Sequence, residues 1–134
     1  MGTRSLIRFY ENDYLICTVC QEYDGHLNGV GKEIKNYIKS KRFVNGTPSG
    51  NRAPFFYGAG CFVAQFIKDF KKKPGYLYIS PKYIYPNNSK NQEYNYYVNF
   101  EHDSDYRVAR VTVKCTNDEE EKKALEDYNE IIYV

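Results

Sequence analysis

The chain has 134 residues, 42% of them apolar and 27% charged, with a formal net charge of +2. That length fits one domain spanning residues 1–134 and is enough to bury roughly two-thirds of the unfolded surface. The apolar content excludes a disordered chain, and the small net charge excludes strong non-specific nucleic-acid binding.

Residues 2–10 read as a strand, and Glu11-Asn12-Asp13 as a turn, since Asn and Asp tolerate left-handed backbone. Residues 14–23 read as the returning strand of a hairpin. A glycine-rich loop follows, from Gln21 to Lys32, with Gly25, Gly29 and Gly31 among acidic, aromatic, His and Asn side chains. From Val30 to about Arg42, the apolar positions Val30, Ile34, Tyr37 and Ile38 recur at helical spacing, and Lys39, Lys41 and Arg42 suit the negative end of the helix dipole. Residues 43–57 are irregular. A second glycine turn, Tyr57-Gly58-Ala59-Gly60, opens a second helix with a wide apolar face, closed by Lys71-Lys72-Lys73-Pro74-Gly75.

Residues 76–80 read as a strand, 81–92 as a polar loop and 93–101 as a Tyr-rich strand. His102 to Asp105 forms a turn. The strand over 106–115 is expected to set Ala109, Val111, Val113 and Cys115 on one face, with Tyr106, Val108, Arg110, Thr112 and Lys114 on the other. Residues 118–128 read as a polar helix capped by Asn117 or Asp118, and residues 131–134 as a short apolar end that docks on the body. The order predicts an α+β fold, an antiparallel β-sheet with two main helices packed on one face, plus a short C-terminal helix.

There are 15 Tyr, 8 Phe and no Trp. Tyr suits half-buried strands and interfaces alike. Of the four cysteines, Cys17 and Cys20 form a C-x-x-C inside a strand. Positions three apart on a strand face opposite sides, so the pair cannot chelate one ion, and neither a metal site nor a cofactor is expected. With no apolar leader and no apolar span of about 20 residues, the expectation is a soluble, cytoplasmic protein with reduced thiols and no membrane contact.

Three constellations carry candidate chemistry. The first gathers Arg4, Arg8, Asp24, His26, Asn28 and Lys32 with Gly29 and Gly31 around the first glycine loop. It reads either as an anion or nucleotide site on free backbone N–H groups at a helix start, or as a structural turn whose N–H groups Asp24 satisfies. The second is Gly58 and Gly60, near Arg52, which would bound the same pocket if the two glycine turns lie side by side. The third is the run Lys68, Lys71, Lys72 and Lys73 with Lys39, Lys41 and Arg42, either a basic patch or solvated helix ends. A catalytic reading would pair Cys20 or Cys61 with His26 as base, but no third, activating group is marked.

Gly2-Thr3-Arg4-Ser5-Leu6, the stretch Gln21-Glu22-Tyr23-Asp24-Gly25-His26-Leu27-Asn28-Gly29-Val30-Gly31 and the stretch Tyr57-Gly58-Ala59-Gly60-Cys61-Phe62-Val63-Ala64-Gln65-Phe66 occur in that order, with Gly75-Tyr76-Leu77-Tyr78-Ile79 behind them. Together they resemble a small family of single-domain proteins carried by phages, prophages and large DNA viruses. The resemblance covers residues 2–79. The chain departs from the family at Cys20, where arginine is usual, and at Leu27, where proline is usual. The resemblance implies a viral or mobile-element accessory protein in the host cytoplasm that binds and inhibits a host defence component. The target is either a protein effector, such as a CRISPR–Cas nuclease, or a nucleotide signal held at the glycine loops. A protein target would use Tyr83, Tyr85, Tyr94, Tyr96 and Tyr97, and Tyr-rich edge strands would also invite a homodimer. The alternative is a small cysteine-dependent hydrolase.

Overall fold

The computed structural model describes residues 2–44, 55–80 and 94–134. Eight strands and three α-helices follow in the order β1 (Ser5–Glu11), β2 (Tyr14–Gln21), a π-turn (Leu27–Gly31), α1 (Lys32–Lys39), β3 (Arg42–Phe43), β4 (Phe55–Phe56), α2 (Ala59–Phe70), β5 (Leu77–Ser80), β6 (Tyr94–His102), β7 (Val108–Thr116), α3 (Lys122–Tyr128) and β8 (Glu130–Tyr133). Six strands form one sheet in the order β5-β2-β1-β6-β7-β8, and β3 pairs with β4 apart from it. The α+β reading is borne out: the sheet is mostly antiparallel, and α1 and α2 pack on one face. The exception is the central pair, β1 against β6, which is parallel.

Strand alternation puts Ile7 and Phe9 of β1, Val19 of β2, Tyr96, Val98 and Phe100 of β6, and Val111 and Val113 of β7 on the helix-facing side, all fully buried. The helices answer with Ile34 and Ile38 from α1 and Phe62, Val63, Phe66 and Phe70 from α2. Aromatic rings lock the layer. Tyr37 of α1 meets Phe62, Phe66 and Phe70 edge-on, at 5.4, 5.7 and 5.3 Å between centroids. Each edge-to-face pair adds about 1 kcal/mol beyond area burial.

Several expected elements differ in the structure. The first helix ends at Lys39 rather than Arg42, because Arg42 and Phe43 pair with Phe55 and Phe56 instead. Its start is a wide π-turn, broken by Gly29 at φ −95°, ψ −111°. The apolar C-terminal segment is not merely docked: it is β8, hydrogen-bonded to β7 with Ile132 opposite Val111. Val108 lies in the core, not on the outer face. A bulge between Glu101 and His102 pairs His102 with Val108 and Glu101 with Arg110, so Ala109 is the extra residue and the alternation shifts by one. The expected polar loop over 81–92 lies outside the described residues. Among the described residues, no helix is long and apolar enough to cross a membrane.

Candidate functional site

The glycine loop folds by close backbone approach. Gly25 N–H donates to the Thr3 carbonyl at 2.8 Å, and a Cβ on Gly25 would lie 2.7 Å from both the Thr3 and Arg4 carbonyl oxygens. A Cβ on Gly31 would lie 2.8 Å from the Tyr96 hydroxyl. The left-handed residue of the loop is not a glycine but Asp24, at φ 59°. Two buried phenols then tether the loop: Tyr96 donates to the Gly25 carbonyl at 2.7 Å and Tyr128 to the Gly31 carbonyl at 2.6 Å. Burial pushes both phenols well above the ordinary tyrosine range, so they remain donors at any physiological pH.

This tethering corrects two expectations. The N–H groups of Gly29, Val30 and Gly31 are spent on the His26, Asp24 and His26 carbonyls, at 2.9, 2.7 and 3.3 Å, so the turn does not offer them to an anion. Asp24 acts through its backbone carbonyl toward Val30, not through a side-chain cap. Its carboxylate lies beside Tyr76 instead, where burial first and the Asp24 charge second push the phenol up.

The side chains around the loop do line a cleft. Its volume is about 550 Å³, with His26, Leu27, Asn28, Lys32 and Lys35 on one wall and Glu120, Ala124, Asp127 and Tyr128 on the other. That volume lies within the range of small-molecule sites. The π-turn and the first turn of α1 supply one wall, and α3 with the segment before it supplies the other. Lys35 is committed: its ammonium lies 3.9 Å from the Tyr128 ring centroid and 3.3 Å from Glu130. Glu120 accepts from the Tyr94 hydroxyl at 2.6 Å, and Asn117 Oδ1 caps the Glu119 and Glu120 N–H groups at 2.9 Å each. Lys32, exposed on the same helix face three residues before Lys35, pairs with no carboxylate among the described residues. The cleft thus offers an ammonium, an imidazole and a carboxamide opposite two carboxylates.

Of the expected site residues, the structure brings together His26, Asn28 and Lys32, with Gly29 and Gly31 shaping the turn beneath them. Gly58 and Gly60 stand apart, so the two glycine turns do not bound one pocket. Gly58, at φ 89°, leads into α2, whose Phe62 meets Phe100 at 4.9 Å. The glycine loop lies at Tyr96, four residues back along β6 and so about 13 Å away. Arg4 feels the Cys20 side of the sheet, and Arg8 faces away from the helices. Arg52, Tyr83 and Tyr85 lie outside the described residues.

The expected tyrosine interface is also divided. Tyr94 and Tyr96 point toward the helices and Tyr97 away from them, as alternation requires. Tyr96 is fully buried and cannot meet a partner. Among the described residues the most exposed tyrosines are Tyr106, Tyr14 and Tyr133, at 85%, 80% and 75%. The lysine run is partly absorbed by the fold: Lys71 donates to the Leu77 carbonyl at 2.7 Å, Lys72 and Lys73 lie over Tyr76 and Tyr23, Lys39 pairs with Glu130, and Lys41 is buried beside the Tyr37 ring.

The cysteines are all free. Register places Cys17 opposite Phe9 and Cys20 opposite Leu6, on the two faces of the sheet, so the C-x-x-C cannot chelate one ion. No described cluster of His, Cys, Asp and Glu forms a metal site. Burial pushes the Cys20 thiol up to about 11, and its neighbour Glu22, 3.5 Å away, adds to this. Cys20 faces away from the helices while His26 lines the cleft on the helix side, so the two do not meet. Cys61 sits on α2 with Gln65 at 3.8 Å.

Sequence reasoning missed Lys35, Glu120, Ala124, Asp127 and Tyr128. Lys35 was within reach, because it shares a helix face with Lys32. The α3 residues carried no local signal, since only the β7–α3 return brings them against the loop. No family model, no curated protein and no solved structure matches this chain.

Proposed function

We propose that the protein works by binding rather than catalysis, and that the cleft between the glycine loop and α3 takes a nucleotide-like ligand. The cleft itself carries this reading: it joins His26, Asn28 and Lys32 to Glu120 and Asp127 around about 550 Å³. A phosphate group suits the Lys32 and His26 wall, and ribose hydroxyls or a base amino group suit the two carboxylates. The resemblance of residues 2–79 to phage and viral accessory proteins gives such binding a setting, the sequestration of a nucleotide signal in host defence. A protein effector is the second reading, favoured by the exposed Tyr14, Tyr106 and Tyr133. The hydrolase alternative draws no support from Cys20, whose raised thiol disfavours the reactive thiolate.

Native mass spectrometry of the protein purified from cells, followed by titration with a nucleotide panel, tests the reading. An added mass of a few hundred daltons, lost on denaturation and absent in Lys32→Ala, is expected. A bare mass, with no nucleotide retained at any concentration, refutes the nucleotide reading and leaves the protein-target reading.

A further inference from the structure

The glycine-loop cleft has unlike walls. On the α1 side Lys35 is answered by Glu130, at 3.3 Å, so Lys32 is the ammonium left without a carboxylate among the described residues. On the other side stand Glu120 and Asp127. Glu120 already spends Oε2 on the Tyr94 hydroxyl, at 2.6 Å. Asp127 is less committed. Among the described residues its oxygens accept no hydrogen bond, and its one ion pair, to Lys123, is 3.9 Å long. The two side chains of that pair are mostly exposed, Lys123 at 84% and Asp127 at 69%, and such a surface pair holds little energy. Asp127 thus keeps a fork of two oxygens free at the rim of the cleft.

The surroundings of that fork suit a flat ring. Ala124, Asp127 and Tyr128 share one face of α3, at i, i+3 and i+4. Ala124 is the small residue of that face, and Leu27 stands on the opposite wall. A planar base can enter between Leu27 and Ala124 with its edge toward Asp127. A carboxylate only accepts, and through two oxygens, so its best planar partner offers two adjacent N–H groups. Among the common bases guanine alone does, with N1–H beside its 2-amino group. Adenine and cytosine each set a donor beside an acceptor on that edge, and uracil sets one donor between two acceptors.

We propose that the cleft is selective for guanine nucleotides, with Asp127 reading the N1–H and 2-amino edge and Lys32 holding the phosphate. This rests on the nucleotide reading of the cleft and narrows it to one base.

Isothermal titration of the parent with GTP, ATP, CTP and UTP tests the proposal. GTP is expected to bind about tenfold or more tightly than the other three, the worth of one hydrogen bond to a charged group. ITP keeps N1–H but lacks the 2-amino group, and should fall between GTP and ATP. Asp127→Asn sets a donor beside an acceptor, which matches the N1–H and 2-oxo edge of xanthine. It should lose the GTP preference and bind XTP about tenfold more tightly than GTP, while melting like the parent, since Asp127 is exposed. A structural role for Asp127 would not produce that exchange. Lys32→Ala should weaken all the nucleotides by a similar factor and leave their order intact. Equal binding of the four nucleotides, or a preference for another base, overturns the guanine assignment while leaving nucleotide binding itself in place. An Asp127→Asn protein that keeps the parent's order also overturns it. If the parent binds none of them, the nucleotide reading and this inference fall together.

Discussion

Gly25→Ala should be among the most damaging single-methyl additions this protein can suffer. The new Cβ would lie 2.7 Å from the Thr3 and Arg4 carbonyl oxygens, both short of the ordinary 3.4 Å contact. Neither oxygen is the tip of a flexible side chain. Both belong to the backbone entering β1, where the Arg4 carbonyl also accepts from Tyr94 N–H at 3.2 Å. Relief therefore means pushing the loop off the sheet. That lengthens the Gly25 to Thr3 hydrogen bond and pulls the Gly25 carbonyl from Tyr96, whose hydroxyl is fully buried. Overpacking of this kind costs about 1–3 kcal/mol, and weakening two hydrogen bonds adds about 1 kcal/mol. The sum, about 3 kcal/mol, lowers the melting temperature of a chain this size by about 10 °C. Gly60→Ala is the matched control. Nothing lies within 4 Å of its would-be Cβ, and it sits in the first turn of α2. Alanine there should stabilise by about 0.5–1 kcal/mol. Circular-dichroism melts of both variants decide. Gly25→Ala melting within about 2 °C of the parent would refute the claim that the glycines serve close approach.

Two further predictions follow from titrating groups. Cys20, pushed up to about 11 by burial, should react with iodoacetamide far more slowly at pH about 8 than a free thiol, and its rate should climb about tenfold per pH unit; rapid labelling in the folded protein would revive the hydrolase reading. Glu101 is held below its ordinary 4.5, chiefly by the Thr112 hydroxyl at 2.6 Å and then by Arg110. A carboxylate lowered in the folded state adds stability above its unfolded pKa and loses it as pH falls through the folded value. Thr112→Val should therefore melt lower than the parent at neutral pH, with the gap closing below pH about 4.5; a gap independent of pH would show that the hydroxyl acts by packing alone.

The elements that sequence periodicity resolved are those whose partners are close along the chain. The β1–β2 hairpin, α2 with its apolar face and the cation-rich close of α2 all announce themselves within a dozen residues. The failures are where a distant segment sets the outcome. The parallel β1–β6 pairing joins residues about ninety positions apart, and no local pattern distinguishes it from an antiparallel pair. Val108 was placed on the wrong face because alternation was carried through a bulge that only the partner strand dictates. The glycine loop shows the same limit at a site. Its glycines were legible as a demand for unusual backbone, but whether that demand was positive φ or close approach depended on Thr3, Tyr96 and Tyr128. Half of the cleft was invisible for that reason: α3 reads as a polar surface helix until Tyr128 is seen to tie it to Gly31.

The tyrosine tethers bear on the binding proposed for the cleft. An ordinary loop between a strand and a helix would have to order itself around a ligand, at a cost of about 1–2 kcal/mol per residue fixed. Here the turn is held from below by Tyr96 and from the side by Tyr128, and the opposing wall is held by the Tyr94 to Glu120 bond and the Cys115 N–H to Asn129 bond at 3.1 Å. Both walls are thus fixed to β6, and the α3 wall to β7 as well, before anything binds. This also accounts for the choice of tyrosine over phenylalanine at these positions. The ring fills the core as Phe56, Phe62 and Phe100 do at the other end of the sheet, and the hydroxyl reaches one backbone carbonyl or carboxylate beyond it. At the tyrosine-rich end the same aromatic volume also holds a concave surface open, and a ligand of the kind proposed would meet walls already in place.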